Sequence, residues 1–152
     1  MHKKNSRFLA KVIAIILVAS LCAPVGAQAA VPETVAPQAS DYLAEYTACI
    51  CAMGGGDLEI WFDVTGTQTI ADIGVLTIYL YESTDNQNWY WVETFMFEDY
   101  DGMLEHNTYF CMNYVPYEGV PGRYYKAYVQ VWGGSEDTGD SRYFWTPVER
   151  CI

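Results

Sequence analysis

The chain has 152 residues, 51% of them hydrophobic and 16% aromatic, and its 8 lysines and arginines stand against 19 aspartates and glutamates, a formal charge of −11 at pH 7. Such a surface repels nucleic-acid phosphates and anionic lipid, which disfavours both as partners.

The first element is an export signal. Lys3, Lys4 and Arg7 make a short basic start, a largely apolar run follows from Phe8 to Ala23, and Ala27-Gln28-Ala29 places small residues at −3 and −1 of a cut before Ala30. The apolar run is shorter than the roughly 20 residues that span a bilayer, and small-residue cleavage chemistry follows it, so residues 1–29 read as a cleavable signal peptide. Cys22 follows Leu21 rather than a small residue, which argues against a lipoprotein anchor. Cleavage removes Lys3, Lys4, Arg7 and Lys11. It leaves four bases, Arg123, Lys126, Arg142 and Arg150, against all 19 carboxylates, a balance of −15. The expected product is secreted, has no membrane span, and does not bind nucleic acid.

Residues 30–41 (AVPETVAPQAS and Asp41) are small, proline-containing and aperiodic, and read as a flexible linker. The remaining stretch, 42–152, suffices for one hydrophobic core. It shows no sustained i, i+3, i+4, i+7 apolar pattern. Alternation over five to ten residues recurs instead, broken by turn chemistry, which indicates an all-β domain.

Seven strands are expected. The first covers Tyr42 to Cys51 and ends at Gly54-Gly55-Gly56. The second, Asp57 to Thr65, directs Leu58, Ile60, Phe62 and Val64 inward. A connection from Gly66 to Gly74 leads to the third, Val75 to Glu82, with Leu76, Ile78 and Leu80 on one face. After the polar turn Ser83 to Asn88, the fourth runs Trp89 to Phe97. An acidic loop, Glu98 to Asn107, precedes the fifth, Thr108 to Val115. The sixth runs Tyr124 to Trp132, and a hairpin from Gly133 to Asp140 opens the seventh, Arg142 to Glu149. Seven short strands in about 110 residues point to one two-sheet sandwich with immunoglobulin-like or fibronectin-like connections, a small barrel being the competitor.

Two stretches support that architecture by resemblance. Ser83-Thr84-Asp85 followed by Trp89-Tyr90-Trp91-Val92 resembles the S-x-D…W-x-x-V hairpin of fibronectin type III-like domains in secreted bacterial proteins. Gly122-Arg123-Tyr124-Tyr125-Lys126-Ala127-Tyr128-Val129 resembles their sixth strand, which makes Tyr125 the candidate corner tyrosine. Through Tyr46 to Ile50, Gly66 to Gly74, Ser83 to Trp89 and Gly139 to Arg142, the chain is also similar to short secreted proteins of Gram-positive gut and rumen bacteria. That group carries no activity that could be transferred. Cys49 and Cys51 depart from its first strand, where small or polar residues are expected.

Four cysteines follow the signal: Cys49, Cys51, Cys111 and Cys151. An even number in an exported domain suggests disulfides, with free or intermolecular thiols as the alternative. Cys49 and Cys51 share one face of a strand and are poorly placed to bond each other. In a fibronectin-like arrangement the first and last strands approach, which implies a bridge from Cys49 or Cys51 to Cys151. No C-x-x-C spacing supports zinc. The loops Glu98-Asp99-Tyr100-Asp101-Gly102 and Glu136-Asp137-Thr138-Gly139-Asp140 are oxygen-rich, yet neither has the EF-hand spacing, so solvated acidic turns are expected and no metal or cofactor.

The aromatic excess is the more suggestive feature. If Tyr125, Ala127, Val129 and Val131 face inward, Tyr124, Tyr128 and Trp132 line the outer face, with Tyr79, Tyr81 and Trp91 on neighbouring strands. Such a face can stack on sugar rings or bind protein, or it can simply pair aromatics across strands. His106, in the acidic loop, has no nucleophile motif near it. The expectation is a secreted, non-catalytic module whose partner is an extracellular glycan or protein, or else a self-associating structural module.

Overall fold

The computed structural model describes residues 40–152, which lie within one compact unit. The expected signal peptide, 1–29, and residues 30–39 of the expected linker lie outside the described residues. Every regular element in this range is a strand, seven in all: β1 (Leu43–Gly54), β2 (Asp57–Ser83), β3 (Tyr90–Met96), β4 (Leu104–Glu118), β5 (Tyr124–Gly134), β6 (Gly139–Trp145) and β7 (Glu149–Arg150). No helix among the described residues is long and apolar enough to cross a membrane.

The organising element is β2, 27 residues long. Its first half, Asp57 to Thr65, pairs antiparallel with β1 and with β4. Its second half, Thr77 to Glu82, lies between β3 and β5, and β5 in turn pairs β6 and β7. All strands thus join through β2 into one antiparallel sheet, curled into a half-barrel with a three-stranded and a four-stranded arm. The expected second and third strands are therefore one strand. Gly66 to Gly74 looked like a connection because Thr67-Gln68-Thr69 is polar and glycines flank it. The segment is nevertheless extended, since Ile70 to Gly74 pairs with β4 and Asp72 to Gly74 also pairs with β5.

The bend is built from local irregularities. Ladder register shifts between Thr65 and Ile70 on the β4 side and between Val75 and Thr77 on the β5 side. At Gly74, φ is +152° and an added Cβ would sit 2.2 Å from the Met103 carbonyl oxygen, so only glycine permits β4 to approach this closely. The bulge also moves Leu76 out of phase. It is half-buried, while Val75, Ile78 and Leu80 are wholly buried.

Both arms contribute to one core. Leu58, Ile60, Phe62 and Val64 from the first half of β2 meet Ile73, Val75, Ile78 and Leu80 from the second, with Ala48 and Ile50 of β1, Phe95 of β3, Val115 of β4 and Tyr125, Ala127, Val129 and Val131 of β5. Alternation in the second and sixth expected strands identified eight of these. Removing each Leu, Ile or Val from water contributes about 1.5–3 kcal/mol, so the inward row of β2 alone is a major stabilising term.

The ends of the sheet are tied by specific polar groups. Asp85 accepts hydrogen bonds from the Gln87 and Asn88 amides and from the Asn88 side chain, which hold its carboxyl far below the usual range and close the turn before β3. Tyr125 is fully buried; its hydroxyl accepts the Val120 N–H at 2.9 Å and donates to Glu82 at 3.0 Å, and Glu82 also pairs with Arg123. Asp140 accepts from the Ser40 hydroxyl and from the Asp41 amide, so the second acidic loop anchors the start of the domain. The expected seventh strand is interrupted: β6 ends at Trp145, and Pro147, which lacks an N–H, separates it from β7.

The cysteines do not form the expected bridges. Among the described residues all four are free thiols. Alternation along β1 sends Ala48 and Ile50 into the core and Cys49 and Cys51 outward, away from buried Cys151. Cys111 is also buried, but it pairs in register with Val64, whereas the Cys151 thiol donates to the Gly56 carbonyl, eight residues (about 26 Å) back along β2.

Candidate binding face

The four-stranded arm has two faces, and its outer one is aromatic. Strict alternation in β5 buries Tyr125, Ala127, Val129 and Val131 and turns Tyr124, Lys126, Tyr128, Gln130 and Trp132 outward. Register then places Tyr79 opposite Tyr128, Tyr81 opposite Lys126 and Trp91 opposite Tyr81. On the other side of β5, Trp145 lies opposite Tyr128 and Tyr143 opposite Gln130.

Ring geometry follows from that register. Tyr128 is 4.8 Å from Trp145 and stacks with Tyr143 at 5.7 Å and 24°, while Tyr81 lies 5.3 Å from Trp145. The ammonium of Lys126 sits between two indoles, 4.3 Å from the Trp89 centroid and 4.5 Å from that of Trp145. These cation–π contacts fix the position of the one base inside the platform. On β3, the Trp91 indole donates to the Thr94 hydroxyl at 3.0 Å, which orients a ring that is 60% exposed. The rim therefore has ordered rings that still face solvent, as do Trp145 and Tyr143 on the opposite side.

Of the six residues selected from sequence, Tyr79, Tyr81, Trp91 and Tyr128 fall together in this platform. Tyr124 and Trp132 share the face but occupy its two ends. Tyr124 packs beneath the Arg150 guanidinium, 5.8 Å from its ring centroid. Trp132 is half-buried, with its ring over Gly139 at the β5–β6 hairpin, where it supports the turn. The sequence reading omitted Trp89, Lys126, Tyr143 and Trp145. The signal for the last two was present: a hairpin between Trp132 and Arg142 carries the alternation of β5 onto Ser141, Tyr143 and Trp145.

The other chemically suggestive groups are scattered. His106 lies on β4 rather than in a loop, where its Nδ1 meets the Asp72 carboxylate of the paired residue at 2.6 Å on an exposed surface. Among the described residues no three histidines, cysteines or carboxylates converge as a metal site. An open groove of about 490 Å3 lies on the three-stranded arm, lined by Met53, Glu59, Tyr114, Pro116 and Glu118. Beside it Trp61 and Tyr114 contact at 4.8 Å, and Phe110 and Met112 are exposed further along β4. Comparison of the chain with protein-family models, with curated proteins and with solved structures finds no match.

Proposed function

We propose that this chain is a secreted, non-catalytic binding module that recognises an extracellular glycan through the outer face of its four-stranded arm. The observation that carries this reading is the platform of Tyr81, Tyr128, Tyr143 and Trp145, in which ring contacts and a captured Lys126 hold aromatic rings on the outer face of the sheet. Apolar faces of sugar rings stack on such planes, and tyrosine hydroxyls and the lysine ammonium supply hydrogen bonds to ring hydroxyls. The basic, apolar and small-residue order of residues 1–29 supports export.

The strand order β1–β2–β4 in one arm and β3–β2–β5–β6 in the other supports an immunoglobulin- or fibronectin III-like β-sandwich whose second and third strands have fused. The hydrogen bond from the Val120 amide to Tyr125, five residues on, fits the corner tyrosine of such domains.

A second reading, self-association as a structural module, rests on the three-stranded arm. There, among the described residues, β4 pairs with β2 only and carries exposed Phe110, Met112 and Tyr114. One experiment separates the two. Pull-down on insoluble and soluble polysaccharides, with light scattering on the same sample, is repeated with Tyr128→Ala/Trp145→Ala. Glycan binding by a monomer, weakened at least about tenfold (about 1.4 kcal/mol) in the double variant, supports recognition. An absence of glycan binding together with oligomers that the double variant leaves intact sinks it in favour of self-association.

A further inference from the structure

The outward pair Cys49 and Cys51 lies on β1 of the three-stranded arm, remote in register from the aromatic platform. Their Sγ atoms are 3.9 Å apart. Cys49 is exposed and Cys51 half-buried, and across the ladder they face Trp61 and Glu59 respectively. Among the described residues β1 pairs with β2 alone, so the thiols stand on an edge strand of the sheet.

This geometry suits one kind of chemistry better than another. A disulfide needs sulfurs about 2.05 Å apart and Cα atoms within about 6.8 Å. Residues i and i+2 of an antiparallel strand stand about 6.8 Å apart, at the outer limit of that range, and eight successive ladder pairs with β2, Glu45 to Ala52, hold β1 extended. Closing the bond would draw the sulfurs together from 3.9 Å to about 2.05 Å against that ladder. A metal ion imposes no such contraction. At a tetrahedral centre with metal–sulfur bonds of about 2.3 Å, two thiolates lie about 3.8 Å apart, which is the separation already present.

We propose that Cys49 and Cys51 form an exposed bidentate site for a soft, thiophilic d10 metal ion. On binding, each thiol releases a proton to solvent and forms one sulfur–metal bond, with no change in oxidation state. The remaining coordination positions stay open to water or small anions.

Cadmium ion is a suitable probe, because thiolate-to-cadmium charge transfer absorbs in the ultraviolet. Titration of the reduced protein should give the band with about one ion per chain. Cys49→Ser and Cys51→Ser should each weaken binding at least about tenfold, whereas Cys111→Ser, in the core, should leave it in place. Near-ultraviolet circular dichroism confirms that the serine variants, both at solvent-facing positions, remain folded. In parallel, prior cadmium loading should slow alkylation of Cys49 and Cys51 by iodoacetamide. A band that survives both single substitutions overturns the proposal, as does an alkylation rate that cadmium leaves unchanged. So does purification of the protein with a Cys49–Cys51 disulfide, two mass units lighter than the dithiol.

Discussion

At the scale of single residues, Tyr125 shows how one hydroxyl connects several parts of the fold. It accepts the Val120 amide, donates to Glu82 and fills the core between β5 and the β4–β5 turn. Tyr125→Phe keeps the ring, orphans the Val120 amide and leaves Glu82 with Arg123 alone, so a loss of about 1–3 kcal/mol is expected in urea unfolding at neutral pH. Burial, foremost, pushes the Tyr125 phenol up to about 12 from its usual 10, with its bond to Glu82 adding to the effect. Between those two values the folded protein holds a proton that the unfolded chain has released. This contribution is fully present below pH 10 and is lost as pH rises toward 12. Buried Cys111, raised to about 12 from 9.0 chiefly by desolvation, adds a decline of the same sign that begins nearer pH 9. Tyr125→Phe should therefore flatten the fall in stability above pH 10 and leave the part between pH 9 and 10. An unchanged profile would show that the phenol ionises as freely folded as unfolded.

Elements were legible in the sequence wherever local alternation and burial agreed. Leu58 to Val64 and Tyr125 to Val131 alternate without interruption, and each inward residue is in the core. Gly54-Gly55-Gly56 reads as a turn because two successive positive φ values, +70° and +101°, close the β1–β2 hairpin at Gly55 and Gly56. The long β2 was not legible, because its middle is set by neighbours distant in sequence. Thr67-Gln68-Thr69 has the composition of a loop, and the strand continues past it only because β4 pairs with Ile70 to Gly74 and β5 with Asp72 to Gly74. The aromatic platform was half legible for the same reason: period two located the β5 and β2 rings, while Tyr143 and Trp145 depend on hairpin register. Two glycines test the distinction between local and tertiary control. At Gly55 nothing lies within 4 Å of an added Cβ, so Gly55→Ala should cost only backbone strain, about 1 kcal/mol, and Gly55→Asn less, because asparagine tolerates this conformation. Gly74→Ala must displace β4 as well, and should cost about 3 kcal/mol or more. Chemical unfolding of the three variants orders them, and a Gly74→Ala protein as stable as Gly55→Ala would mean that the β2–β4 contact yields.

For the whole molecule, the distribution of charge sets the next expectation. The described domain has four lysines and arginines, and each is already engaged: Arg123 with Glu82, Arg142 with Asp140 at 3.8 Å, Lys126 between Trp89 and Trp145, and Arg150 over Tyr124. Asp72 meets the His106 imidazole, and among the described residues the other carboxylates have no basic side chain within ion-pair distance. Their repulsion opposes the compact state, because unfolding moves like charges apart. Added salt acts on both kinds of interaction, and their ranges decide the outcome. The attractive pairs are few and short, and surface pairs contribute about 0–1 kcal/mol each. The repulsions are many and reach over tens of ångströms. Raising sodium chloride from about 0.01 M to 1 M shrinks the screening length from about 30 Å to 3 Å, which removes the long-range repulsion first. Tm should therefore rise, by about 4 °C or more if the relief reaches about 1 kcal/mol. Sodium chloride is the appropriate salt, since sulfate would strengthen apolar burial and give the same sign for another reason. A Tm that falls with added chloride would mean that the four engaged bases outweigh the free carboxylates. The same screening bears on the two faces: it should favour contact between three-stranded arms, where Asp63 and Glu59 flank Trp61, and leave stacking on the aromatic platform of the other arm little changed.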